Sequence, residues 1–196
     1  IGTGEDCIGG AEAAGNFQTL NFSGSGVGND PIQADAQDGS GTNNANWQST
    51  GADGSTARTQ MYIFDGTTPD RDGSLDADIV FHEFSHGTSI RLHQGRLNGA
   101  NQEGGMGEGW SDFFGVCLNA ESTDDFNAVY TTGGYATYQF PGGSFANNYY
   151  FGIRRFPYST DMTKNPLTYE DIDPGQNAYP PGIPQSPIIG NSPNEV

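Results

Sequence analysis

His82, Glu83 and His86 form the pattern His-Glu-x-x-His within the segment HEFSH, and the spacing decides what chemistry they can do. On a helix, residues four apart stand one above the other on the same face. The imidazoles of His82 and His86 can therefore close on one zinc ion. Glu83, one position round, then faces the water of the open coordination position, where a carboxylate serves as general base. A catalytic zinc also needs a third protein ligand. Glu108 supplies a carboxylate in GEGWSD, on a run otherwise carrying Trp110, Phe113, Phe114, Val116 and Leu118. Asp112 follows four residues later on the same face, placed to accept the second ring N–H of a metal-bound histidine, that of His82. The chemistry implied is metal-assisted hydrolysis.

The third ligand separates classes of zinc site. The metzincin pattern requires Gly and His at fixed distances after the second histidine. Those positions hold Ser89 and Leu92, so that class is excluded. His93 is one residue out of place and reads as a solvated histidine past a helix end. Glu103 is the rival to Glu108, but it lies in a Gly-rich stretch and has no carboxylate four residues on.

Two helices must carry these groups. Leu75–Ile90 is the clearest, with Ser74 as N-cap and Asp76 and Asp78 in its first turns, where the helix dipole favours anions. Apolar residues surround it, which predicts burial. The second helix is expected from about Met106 to Asn119, after a loop over residues 91–105. Upstream, the Gly-, Asn- and Asp-rich residues 1–60 read as loops and short strands. Thr59–Phe64 (TQMYIF) is the best strand candidate, followed by the turn Asp65-Gly66. The chain is thus expected to be α+β, a single partial domain over residues 1–196. Residues 1–74 form its strand- and loop-rich part, 75–120 the zinc-site helices, and 121–196 an irregular Pro/Gly-rich remainder.

With 7 Lys and Arg against 24 Asp and Glu, the formal net charge is −17. Such a surface repels phosphate backbones and anionic lipid, so neither nucleic acid nor membrane is an expected partner. No apolar run approaches the roughly 18 residues of a membrane span. Nothing in the sequence sets an oligomeric state. The low Lys content and abundant Asn and Gly point to a secreted chain, which opens at Ile1 as a processed or excised segment would. Cys7 and Cys117 could form one disulfide or remain two thiols. Calcium is a further candidate cofactor: Asp30, Asp35, Asp38, Asp70 and Asp72 could supply oxygens, or stand as solvated loop acids.

His82–Arg91 (HEFSHGTSIR), followed by Gly104–Phe114 (GGMGEGWSDFF), resembles the fungalysin (M36) family of secreted zinc metallopeptidases. The resemblance continues through Glu12–Gln18, Gln37–Trp47, Met61–Phe64 and Arg155–Leu167, and so covers nearly the whole chain. It implies a thermolysin-like architecture: a β-rich upper lobe, the active-site helix in the middle, and a helical lower lobe only partly present. It places the ligands on His82, His86 and Glu108 and the general base on Glu83. Asn44-Ala45-Asn46-Trp47 resembles the edge strand that pairs with substrate, which makes Asn44 and Ala45 candidate substrate contacts by β-augmentation. The bare residues read equally as an Asn-rich surface turn. The family's domain extends past both ends of this chain, and its oxyanion-stabilising tyrosine and histidine do not map. Arg154, Arg155 and Tyr158 lie in a matching segment without being assigned that role.

Taken together, the expected function is a secreted zinc-dependent endopeptidase acting on protein or peptide substrates. The alternative is a non-catalytic extracellular module of the same family, stabilised by zinc or calcium.

Overall fold

Strand β2 (Ala45–Gln48) turns Ala45 and Trp47 inward and Asn46 and Gln48 away from the core, as the period-two geometry of a strand requires. It pairs antiparallel with β3 (Arg58–Met61), placing Ala45 opposite Met61 and Trp47 opposite Thr59. On its other side β3 carries β1 (Gln33–Asp35) in parallel, so the sheet order is β1-β3-β2 and β2 lies at an edge. The computed structural model describes residues 17–20, 26–49, 51–93, 95–97, 102–139, 148–172 and 181–186. Within these the fold is α+β.

The expected strand Thr59–Phe64 is two strands. β3 ends at Met61, and β4 (Ile63–Phe64) pairs instead with β5 (Arg71–Asp72). At Tyr62 the chain changes partners: its N–H donates to Asn44 O, while its carbonyl accepts from Gly73 N.

Helix α1 (Ala77–Leu92) lies against the sheet. One core cluster joins Ala45, Met61, Phe64 and Ile79 with Ala136; the other joins Trp47, Ala57 and Ile90, with Phe17, Ile32 and Phe84 packed on it. Gly87 is required at the second contact, because a Cβ there would lie 2.1 Å from the Trp47 ring. The helix cap differs from expectation. Asp76, not Ser74, caps α1, accepting from Asp78 N at 3.2 Å, while Ser74 sits in a 3-10 turn (Gly73–Leu75) capped by Asp72. Asp76 also accepts from Ala136 N, which ties the helix start to the C-terminal part. The far end is fixed by Arg91, which pairs with buried Asp30 at 2.7 Å and donates to the carbonyls of Ala52 and Ser55.

Helix α2 (Gln102–Asn119) begins four residues earlier than the sequence suggested. Gly104 and Gly105 lie in the stretch expected to be a loop, where each glycine costs a helix up to about 1 kcal/mol. Here Gly105 and Gly107 are buried; a Cβ at Gly107 would lie 2.5 Å from the Leu97 carbonyl oxygen, while one at Gly115 would meet the Asp78 carbonyl oxygen in ordinary contact. Gly107 is thus required against the chain that follows α1. Asn119 donates to Asp78 at 2.7 Å, so α2 runs antiparallel to α1. Beyond residue 120 the described chain is mostly turns, with a short helix α3 (Asn148–Phe151) and a bridge between Tyr130 and Tyr158.

Candidate metal centre

The antiparallel register brings Glu108 between the two histidines of α1. Its Oε2 lies 3.2 Å from His82 Nε2, and its Oε1 3.3 Å from His86 Nε2. The two imidazole rings stand edge to face, 4.6 Å between centroids. One ligand atom from each of the three side chains lies within 4.8 Å of the others, and among the described residues this is the group of at least three His, Cys, Asp or Glu so arranged. A tetrahedral zinc with bonds of about 2.0–2.1 Å separates its ligands by roughly 3.3 Å. Each Glu108 oxygen stands at about that separation from one histidine nitrogen, and a donor set of two imidazole nitrogens and a carboxylate suits zinc.

Asp112 is 1% exposed, and its Oδ1 lies 2.6 Å from His82 Nδ1. That contact commits Nδ1 and leaves Nε2 toward Glu108, the arrangement a metal ligand needs. Burial disfavours the charged form of His82, but hydrogen bonds to Asp112 and Glu108 outweigh it and raise its pKa to about 9. Burial likewise works against ionised Asp112, yet Arg154 and His82 hold its carboxyl well below the usual range. Glu108 is also buried, and its bonds to His82 and His86 depress it strongly.

Glu83 lies beside this group, 6% exposed, and burial pushes its carboxyl up against the pull of the two histidines. A carboxyl whose charged form is disfavoured by burial takes up a proton more readily. His82, Glu83, His86 and Glu108 open on a cleft of about 400 Å³. Asn43 to Trp47 form one wall, which includes the start of β2, an edge strand among the described residues. Phe64, Ile79, Thr132, Ile153 and Arg154 close the rest. Asn44 and Ala45 both line this cleft.

Spacing alone could not find Arg154. It lies 42 residues after Asp112, yet it donates to both Asp112 oxygens, the Nη2–Oδ1 distance being 2.8 Å. The same Nη2 reaches Glu108 Oε2 at 3.4 Å, so one guanidinium bridges the two carboxylates of α2. Tyr158 donates its hydroxyl to Asp112 Oδ2. Thr132 and Ile153 were missed as well, because turn residues of the C-terminal part carry no periodic signal.

Other candidates stand elsewhere. His93 is exposed and bonds back to Ser89 O at 2.8 Å, and Glu103 accepts from Leu97 N at 2.7 Å. The acids considered for calcium are dispersed: Asp30 pairs with Arg91, Asp35 and Asp38 with Arg58, and Asp72 with Gln37 and Ser74, while Asp70 is exposed. Cys117 is exposed on α2, and Cys7 lies outside the described residues.

Comparison with known proteins gives a consistent picture. The family model described as fungalysin metallopeptidase (M36) matches residues 7–182. The chain is 46% identical over 166 residues to extracellular metalloproteinase 4 of Arthroderma otae, covering 83% of this chain and 24% of that protein. It is 44% identical over 179 residues to extracellular metalloproteinase MEP of Pyricularia oryzae, covering 89% and 26%. To extracellular metalloproteinase mep of Aspergillus fumigatus it is 44% identical over 170 residues, covering 85% and 25%. The chain thus spans about a quarter of the length of these relatives.

Proposed function

The chain belongs to the fungalysin metallopeptidase (M36) family, and from that premise we propose that it carries the zinc site and general base of a secreted endopeptidase. The observation that carries the reading is the His82–His86–Glu108 triad, whose ligand atoms lie within 4.8 Å of one another, beside the buried Glu83. Names of relatives as extracellular metalloproteinases support the same reading, for both the activity and the location outside the cell. No helix among the described residues is long and apolar enough to cross a membrane.

In this reading His82 Nε2, His86 Nε2 and a Glu108 oxygen hold the metal. When bound, zinc supplies Lewis-acid polarisation of the scissile carbonyl and acidifies water. The chain's own groups do the rest. Glu83 takes a proton from the water that attacks the carbonyl carbon and delivers it to the amide nitrogen as the C–N bond breaks. Asp112 keeps the His82 proton on Nδ1, so that Nε2 presents its lone pair. The free edge of β2 at Asn44 and Ala45 receives the substrate backbone as an added strand, with protein or peptide as substrate.

The test is Glu83→Gln in the full chain, followed by metal content and casein cleavage. Zinc should remain near one equivalent while cleavage falls by at least a hundredfold, the lower end expected for losing a general base. Cleavage at the parent rate would remove Glu83 from the reaction. If the metal-loaded parent cleaves nothing, the chain is a zinc-holding module and not a peptidase.

A further inference from the structure

We propose that Tyr158 is a positioning residue for the metal centre: its hydroxyl fixes the Asp112 carboxylate, and through it the ring of His82. The inference rests on reading His82, His86 and Glu108 as the zinc site.

A carboxylate offers about four acceptor positions. Those of Asp112 are all engaged: Oδ1 accepts from His82 Nδ1 and Arg154 Nη2, and Oδ2 from Arg154 Nε and the Tyr158 hydroxyl. The group is 1% exposed, so no water replaces a lost donor cheaply. Arg154 forks onto both oxygens and also reaches Glu108, whereas the Tyr158 hydroxyl donates to Asp112 alone. Tyr158 is independent of both ligand helices. Its backbone exchanges hydrogen bonds with Tyr130 at 2.7 and 2.9 Å, and the neighbouring Pro157 is fully buried, its carbonyl held by Asn165. The hydroxyl is therefore aimed from a segment outside α1 and α2, anchored by its own bridge to Tyr130. A tyrosine has one O–H to give, and here it is spent on Asp112, not offered to the cleft.

Groups that orient a metal-bound histidine typically change metal affinity 10- to 100-fold when removed. Tyr158→Phe keeps the ring and loses only the hydroxyl, and should weaken Zn2+ about tenfold, the lower end of that range for a group one step further out. The measurement is competition for Zn2+ against a chromophoric chelator, at a temperature where circular dichroism shows the metal-free chain folded. The visible spectrum of the Co2+-loaded chain should shift as well, since it reports ligand geometry. Tyr130→Phe, which removes a hydroxyl bonded to Asp125 O on the other side of the same bridge, should change neither. In an Asp112→Ala background, adding Tyr158→Phe should cost no further affinity, and this comparison holds even if the single variant folds poorly. Unchanged Zn2+ affinity and Co2+ spectrum in Tyr158→Phe would overturn the proposal. So would a variant that keeps its affinity and loses turnover, which would put the hydroxyl on the substrate. His86→Ala in the same assay separates the two levels. If it binds Zn2+ like the parent, the site reading fails and this proposal with it. If only Tyr158→Phe is silent, the proposal alone fails.

Discussion

The two helices that meet at the metal centre solve the same problem in opposite ways. α1 is enclosed: Ile79 and Ile90 face the sheet, and His82, Glu83 and Ser85 are buried too. α2 turns its small and polar side inward, with Gly105, Gly107, Ser111, Asp112 and Gly115 buried. Its large apolar side chains face out, Trp110 being 45% exposed and Phe113 53%; Trp110 stacks on Phe114, and Phe113 meets both edge to face. The difference teaches what each helix is for in this contact. α1 is held by apolar packing and carries the ligands rigidly. α2 meets it through polar contacts, with Glu108 reaching His82 and His86 and Asp112 reaching His82.

The sharpest way to break that contrast is at Trp47. It packs edge-on against Phe17 and Phe84 and lies directly over Gly87, one residue past His86. Trp47→Ala should cost about 3–5 kcal/mol in urea unfolding, as deletion of a buried aromatic does. A loss below about 1 kcal/mol would mean that α1 is not anchored by the sheet.

The second test addresses the polar contact between the helices, through pH. In the metal-free chain the His82 pKa is raised to about 9 by Asp112 and Glu108, against the opposing effect of burial. A group raised above its unfolded value of about 6.5 contributes fully below that pH and loses the contribution as pH rises through 9. Unfolding free energy of the metal-free chain should therefore fall by roughly 2–3 kcal/mol between pH 6 and pH 10. Asp112 and Glu108 are depressed, so their share persists at these pH values and is lost only on strong acidification. With zinc bound the imidazole is already neutral, and the alkaline loss should disappear. A metal-free chain equally stable at pH 6 and pH 10 would show that the His82 contacts add nothing to the pairing of the helices.

What could be read from the sequence follows the same division. The spacing of four between His82 and His86, and again between Glu108 and Asp112, is a helical period, and it survives translation into structure because both pairs lie within single helices. The position of Asp112 against His82 was legible for that reason. Arg154 and Tyr158 were not, because the turns that bring them 42 and 46 residues back onto Asp112 have no periodic signature. The strand at Thr59–Phe64 was legible as extended chain but not as a change of sheet at Tyr62, which depends on where Asn44 and Gly73 lie. The rotation of α2 was not legible either: Ser111 and Asp112 are buried while Trp110, Phe113 and Phe114 are exposed, so the apolar run does not mark the inward face.

The smallest effect is expected on that outer face. Trp110→Ser removes a side chain as large as that of Trp47, but one that lies largely outside the core. Unlike a core deletion it leaves no cavity, so the cost in urea unfolding should stay within about 0.5 kcal/mol, as for surface substitutions. What should change is the behaviour of the folded chain in solution: a contiguous exposed aromatic patch binds hydrophobic dyes and lowers solubility. Dye binding should fall in Trp110→Ser, and fall further with Phe113→Ser added, while zinc affinity stays at the parent value because neither ring touches the ligands. If Trp110→Ser instead costs several kcal/mol, the outer face of α2 is covered in the folded protein, and the two helices differ less than their exposures say.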